Sequence, residues 1–183
     1  MWPLVVYAGL VLALFVRFQD PRAERRPLRL EASPEELRLV RRQHSVFYAL
    51  LLAAPIEWWL RARPAGWMQI AGALLFLAGL IGYRRAGRTL GEQLTPLVAP
   101  RDPPKLIERG PYRKVRHPMY LAELAMAFGT VPALGAYASA VLAVVFALVV
   151  LHRAGIEEQV LHERLPGYRA YAARTSRILP YVY

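Results

Sequence analysis

Residues 119–151 read MYLAELAMAFGTVPALGAYASAVLAVVFALVVL, a largely apolar stretch that breaks around Pro132 and Gly135. A helix needs about 20 apolar residues to cross a bilayer, or about 17 at the short end. Residues 134–151 reach that limit, whereas 119–131 fall short. The pair therefore reads as a tight helical hairpin, with Pro132 and Gly135 at the bend. Upstream lie three more apolar segments, 2–16, 45–60 and 67–83. The last meets the length limit, and the other two need their flanking residues.

The loops test this reading through their cations. Residues 17–44 carry eight arginines, 61–66 two, 84–118 nine Lys/Arg, 132–135 none and the stretch from 152 onward five. That alternation is what the excess of cations in cytoplasmic loops predicts. A soluble helical bundle with a basic surface leaves it unexplained. The expected fold is an all-α integral membrane protein of about five transmembrane helices, N-terminus outside and C-terminus cytoplasmic. It forms a single membrane domain over residues 1–183: three spans in 1–83, then a core in 84–183.

The net charge of +11, from 24 Lys+Arg against 13 Asp+Glu, would point to nucleic acid or an acidic partner in a soluble protein. Its confinement to particular loops points to a lipid bilayer instead, and no nucleic-acid partner is expected. The absence of cysteine excludes disulfides, thiolate catalysis and Cys-ligated metals. Segment 2–16 lacks a basic leading region and a small-residue cleavage pattern, so it reads as a span and not as a signal peptide.

Ser33-Pro34-Glu35-Glu36 predicts a helix start with a capping box. The helix continues through Arg38, Arg41 and Arg42, expected at the headgroups, into the second span. Glu57 precedes Trp58-Trp59-Leu60-Arg61 and reads as part of an interfacial aromatic belt.

Two polar blocks face the cytoplasm, 84–118 ending in GPYRKVRHPMY and 152–180 beginning HRAGIEEQ. Gly110-Pro111 is a turn, and Pro118 suits the first helical position, so His117 and the unpaired N–H groups of that helix start face the cytoplasm. Such a start favours an anionic or acceptor-rich ligand. Arg153 and Glu157 share a helix face at i,i+4, beside Glu158; alone they read as an ordinary solvated pair. Tyr168, Tyr171 and Arg174 form one stripe of a short amphipathic helix, expected to pack on the membrane surface. His44, His117, His152 and His162 fall in no zinc pattern, and no phosphate-binding glycine run is present.

Taken together, Gly110-Pro111-Tyr112, Arg116-His117-Pro118-Met119-Tyr120, Glu157-Glu158, Tyr168…Tyr171 and Arg177-Ile178-Leu179-Pro180 resemble the isoprenylcysteine carboxyl methyltransferase family, related to the membrane phospholipid methyltransferases. The resemblance runs from about Thr89 onward. It implies an S-adenosylmethionine-dependent enzyme, without metal, whose pocket lies between the 84–118 loop and the C-terminal helices. Carried across residue by residue, it implies cofactor contacts from Lys105, Leu106, Ile107, Tyr112, His117, Pro118, Met119, Tyr120, Glu157 and Glu158. Arg153 and Arg174 are the implied catalytic residues, Arg153 facing the acceptor and Arg174 closing the pocket. The expected acceptor is a lipophilic small molecule or lipid, first a prenylcysteine-like carboxylate, with a phospholipid amine or a small thiol as alternatives. A non-catalytic module of the same fold, or a nicotinamide-dependent reductase, would be set apart by cofactor binding.

Overall fold

Glu36 N–H donates to Ser33 Oγ at 3.1 Å and Ser33 N–H to Glu36 Oε2 at 3.1 Å. This reciprocal pair satisfies two donors that a helix start leaves orphaned. From there α1 runs unbroken over Pro34–Arg61. The computed structural model describes residues 33–61, 66–98, 100 and 104–180. The apolar segment 2–16 lies outside them. The other helices among the described residues are α2 (Trp67–Leu90), α3 (Pro118–Leu134), α4 (Ala140–Arg164) and the short α5 (Tyr168–Ala173). Among the described residues there is no strand, only one isolated bridge between Val115 and Ser176.

The hairpin forms where the sequence breaks. Gly135 takes a left-handed φ of 62°, its N–H bonds Pro132 O at 3.0 Å, and Ala136 N–H bonds Val131 O at 2.9 Å. Glycine adopts that φ at little steric cost, and the paired bonds close the carbonyls at the end of α3. A single 3-10 turn, Tyr137–Ser139, then leads into α4.

The most intimate neighbour of α3 is nevertheless α2 and not its hairpin partner. A Cβ on Gly72 would stand 2.3 Å from Ala133 N, one on Gly79 2.7 Å from Ala122 O, and one on Gly129 2.6 Å from Phe76 N. Three glycines thus let two antiparallel backbones touch, the close approach that small residues permit between helices in lipid. Gly129→Ala is expected to destabilise the fold by about 1–3 kcal/mol, because backbone atoms cannot yield as a flexible side chain can. Gly82→Ala is the control, since its Cβ would lie an ordinary 3.6 Å from Ala122 Cβ. Thermal unfolding in detergent reads both.

On the other side, α1 and α4 pack antiparallel around Leu50, Phe146, Val150 and Ala143. Phe47 lies on Phe146 with ring centroids 5.1 Å apart. Glu57 departs from its expected role in the aromatic belt. Its carboxylate accepts the N–H groups of Ala138 (2.9 Å) and Ser139 (2.8 Å) and the Ser139 hydroxyl (2.8 Å), and Arg61 lies 3.7 Å away. A carboxylate there satisfies orphan donors and complements the positive end of the α4 dipole. Trp59 and Trp67 are exposed as a belt requires, whereas Trp58 packs on Ala54, Leu134 and Ala136.

Among the described residues two helices, Trp67–Gln93 and Tyr137–Arg164, are long and apolar enough to cross a membrane, yet only 22% and 39% of their apolar windows are buried. The core helix of a water-soluble bundle hides its apolar residues. Here Leu74, Ile81, Val141 and Leu148 face outward, which suits a lipid solvent.

Candidate active site at the charged end of the bundle

Antiparallel packing brings the start of α1, the end of α2, the start of α3 and the late turns of α4 to one end. There the two polar blocks meet. Arg116 N–H bonds Ser176 O at 2.8 Å, Ser176 N–H bonds Lys114 O at 3.0 Å, and His117 N–H bonds Arg177 O at 3.0 Å. These backbone bonds sew the segment before α3 to the segment after α5. The Arg116 side chain reinforces the seam: Nη1 donates to Ala172 O at 2.9 Å and to Thr175 O, and Nε donates to Glu158 Oε1 at 2.6 Å.

Glu158 is the electrostatic centre of the seam. Its Oε2 lies 3.2 Å from Arg177 Nε, and its Oε1 lies 3.4 Å from His117 Nε2 as well as bonding Arg116. Expected among the cofactor contacts, it spends both oxygens on joining the α3 start, α4 and the tail. Glu157 is differently placed. Its Oε2 accepts the Tyr120 hydroxyl at 2.7 Å and lies 3.8 Å from His117 Nδ1, and its side chain keeps 24% exposure. His117 and Tyr120 stack nearly parallel, 5.3 Å between centroids. Pro118 at the first position of α3 has no N–H to lose, and helix geometry leaves the N–H groups of Met119 and Tyr120 without intrahelical acceptors.

Arg153 and Glu157 do not pair with each other as their i,i+4 spacing permits. Arg153 is buried, with Nη1 donating to Gln43 Oε1 and Nη2 to Pro96 O. Its guanidinium lies over the Tyr120 ring at 5.8 Å, and its Nε has no hydrogen-bond partner among the described residues. Pro96 belongs to the loop after α2, where Thr95 Oγ1 accepts Leu97 N–H at 3.1 Å and Leu97 and Val98 are buried.

The rest of that loop closes over α5. Gly110, at φ 59°, turns the chain against Thr89 and opens a 3-10 turn, Gly110–Arg113, that buries Tyr112. Tyr171 Oη donates to Tyr112 O at 2.7 Å. Tyr168 and Tyr171 pack with Leu165 against Leu106, so this stripe turns into the protein instead of lying on a membrane surface. Burial raises the Tyr112 and Tyr168 hydroxyls above the ordinary phenol range and carries Tyr171 up to about 12. All three therefore remain neutral donors near neutral pH. Lys105 is exposed, and its N–H bonds Gln93 Oε1 at 3.2 Å; Ile107 is half-buried. Arg174 sits at the rim, 2.5 Å from Glu108 Oε2 and 6.0 Å over the Tyr171 ring.

A model of the phospholipid methyltransferase family matches residues 67–166, from the first residue of α2 to just past α4. The chain belongs to the phospholipid methyltransferase family. No curated protein matches it. Membership in this family implies membrane methyltransferase activity, and the matched stretch contains Tyr112, His117–Tyr120, Arg153, Glu157 and Glu158.

Sequence reasoning passed over four residues that shape this end of the phospholipid methyltransferase fold. Arg116 and Arg177 were visible only as motif letters, and their common partner is Glu158. Glu123, a carboxylate inside an apolar helix, carried the stronger signal, since such residues are costly in lipid and serve function by default. Gln43 had none, being one polar residue at a helix's basic end.

Proposed function

We propose that this protein is an integral-membrane, S-adenosylmethionine-dependent methyltransferase acting on a lipophilic acceptor at the cytoplasmic leaflet. The observation that carries the reading is the meeting of the α3 start with Glu157. Helix N–H groups, a stacked His117–Tyr120 pair and a part-exposed carboxylate share one corner there. The donor set fits a nucleoside bearing an amino acid. Glu157 suits a ribose diol or an ammonium, the Met119 and Tyr120 N–H groups suit a carboxylate or adenine acceptor, and aromatic faces suit a sulfonium. Tyr168 Oη, buried without a partner among the described residues, adds a donor close enough to feel both glutamates.

In this reading Tyr112, His117–Tyr120 and Glu157 hold the cofactor, with Lys105, Leu106 and Ile107 along one wall. Glu158 keeps the corner together, and Arg174 ties the rim shut through Glu108. When bound, the cofactor supplies an electrophilic methyl group. The chain's own work is alignment and the exclusion of water, which is where most of the advantage of a displacement reaction arises. Arg153, always protonated, orients an acceptor oxygen. A carboxylate acceptor brings its own electron pair and needs no base. The first acceptor we propose is a prenylcysteine-like carboxylate. A phospholipid amine is the second, favoured by the name of the family and by the Glu123 carboxylate beside Arg153's partner Gln43.

The same reading has five crossings, N-terminus outside and C-terminus cytoplasmic, in one domain whose 84–183 part is the methyltransferase core. Support comes from the loop charges and from the shared end of Arg38, Arg41, Arg42, Arg84, Arg85 and Arg88 with the glutamates. Detergent-purified protein should be stabilised by S-adenosylhomocysteine, by about 2.7 kcal/mol at a hundredfold excess over Kd. A labelled-methyl assay should show transfer to carboxylate, amine or thiol amphiphiles. No thermal shift with S-adenosylhomocysteine would remove the enzymatic reading in favour of a non-catalytic module.

A further inference from the structure

Gln43 lies on α1, outside the part of the chain that matches the family, yet it is only 4% exposed and sits between two charges from two other helices. Its Nε2 donates to Glu123 Oε2 at 2.6 Å on α3, and its Oε1 accepts Arg153 Nη1 on α4. The partners fix the amide's orientation, because a flip would turn NH2 toward a guanidinium and C=O toward a carboxylate. With Pro96 O on Nη2 and the Tyr120 ring beneath the guanidinium, Arg153 is held on three sides. Its Nε, buried in the same place, has no hydrogen-bond partner among the described residues. A lone arginine there would be costly; joined through a neutral amide to a glutamate, the cluster is balanced.

We infer that Gln43 is a positioning residue for the methyl acceptor: it fixes Arg153 so that Nε is presented to an acceptor oxygen, and it makes α1 part of the active site. The inference rests on the reading of Arg153 as the acceptor's partner. A fixed guanidinium binds one oxygen geometry well, whereas a loosened one binds many geometries weakly. The effect therefore falls on acceptor KM and leaves the cofactor corner around Glu157 untouched.

The test uses the full chain in detergent, with an S-prenylcysteine analogue and phosphatidylethanolamine vesicles as acceptor probes. Gln43→Met keeps length and removes both hydrogen bonds. Its acceptor KM should rise about tenfold or more, the scale of a lost bond to a charged group, while the S-adenosylhomocysteine thermal shift persists. Gln43→Glu gives a second readout. At position 43 the charged neighbours are Arg153 from α4 and Glu123 from α3, with Tyr120 under the guanidinium. Two adjoining carboxylates share a proton at lower pH, which imitates the amide's donor, and lose it as pH rises. Activity relative to the unaltered protein should then fall from about pH 6 to about pH 9.

If the unaltered protein methylates a probe and Gln43→Met leaves KM within about twofold, this inference alone is overturned. Should Gln43→Met fail to fold, the Gln43→Glu profile decides, a flat ratio overturning the inference and a falling one supporting it. Binding of S-adenosylhomocysteine without transfer to either probe overturns the acceptor reading and this inference together.

Discussion

Glu157→Ala is expected to abolish the stabilisation by S-adenosylhomocysteine, the largest functional effect of any single change proposed for this protein. Glu157 is the more open of the two adjacent glutamates at the α3 start, with 24% of its side chain exposed against 16% for Glu158, and among the described residues Tyr120 Oη donates to it. Removing it takes away a charged acceptor whose hydrogen bonds are worth about 1.5–3 kcal/mol each, along with the charge that complements an ammonium or a sulfonium. The alanine also strands the buried Tyr120 hydroxyl, so part of any loss belongs to the fold. Glu157→Gln separates the two, because the amide oxygen still accepts from Tyr120 while the charge is gone. That variant should unfold near the temperature of the unaltered protein and bind S-adenosylhomocysteine about ten- to a hundredfold more weakly. Calorimetric titration beside thermal unfolding reads both quantities. Full affinity in both variants would place the cofactor elsewhere.

Glu158→Gln should act on the fold first and on binding only through it. Arg116 and Arg177 converge on this carboxylate at 2.6 and 3.2 Å, with side-chain exposures of 14% and 17%. Leaving two mostly buried guanidinium groups beside a neutral amide is expected to cost about 3 kcal/mol. The seam that fails is the one joining residues 114–117 to 172–177, so the tail beyond α4 should become sensitive to trypsin. Loss of S-adenosylhomocysteine binding should follow release of the tail. The two glutamates are adjacent in the chain and differ in this order of events: Glu157 variants lose ligand with the tail in place, whereas Glu158 variants lose the tail. Arg116→Lys should behave like Glu158→Gln, since a point-charge ammonium cannot serve Glu158, Ala172 O and Thr175 O at once. A Glu158→Gln protein with an unaltered unfolding midpoint and a protected tail would rule out the joint.

Features that depend on neighbours in the chain were legible in the sequence. The capping box of Ser33 and Glu36 spans three residues. The hairpin closes through Gly135, at the bend that Pro132 and Gly135 mark after an apolar run. Helical class and membrane character follow from apolar lengths and from where the cations gather, quantities a one-dimensional string holds in full. The polar blocks around His117 and Glu157 were recognisable for the same reason, as compact runs with fixed spacing.

Features that depend on how helices rotate against one another were not. Glu57 reads as interfacial because its neighbours are tryptophans, but it accepts from Ser139, 82 residues later, at the start of α4. Arg153 and Glu157 read as a pair from their spacing, but each finds a partner on a different helix. Gln43 and Glu123 stand 80 residues apart, and Gln43 and Arg153 stand 110 apart. The sequence by itself determined an all-helical, lipid-compatible chain with its polar residues gathered in two blocks, because helix length, caps and charge placement are local quantities. The tertiary structure alone decided that α2 is the close partner of α3, that Glu158 joins the tail while Glu157 stays more open, and that Gln43 of α1 meets Glu123 and Arg153. Those outcomes turn on glycine-scale backbone approach and on which face each helix buries, and neither leaves a periodic mark in the chain.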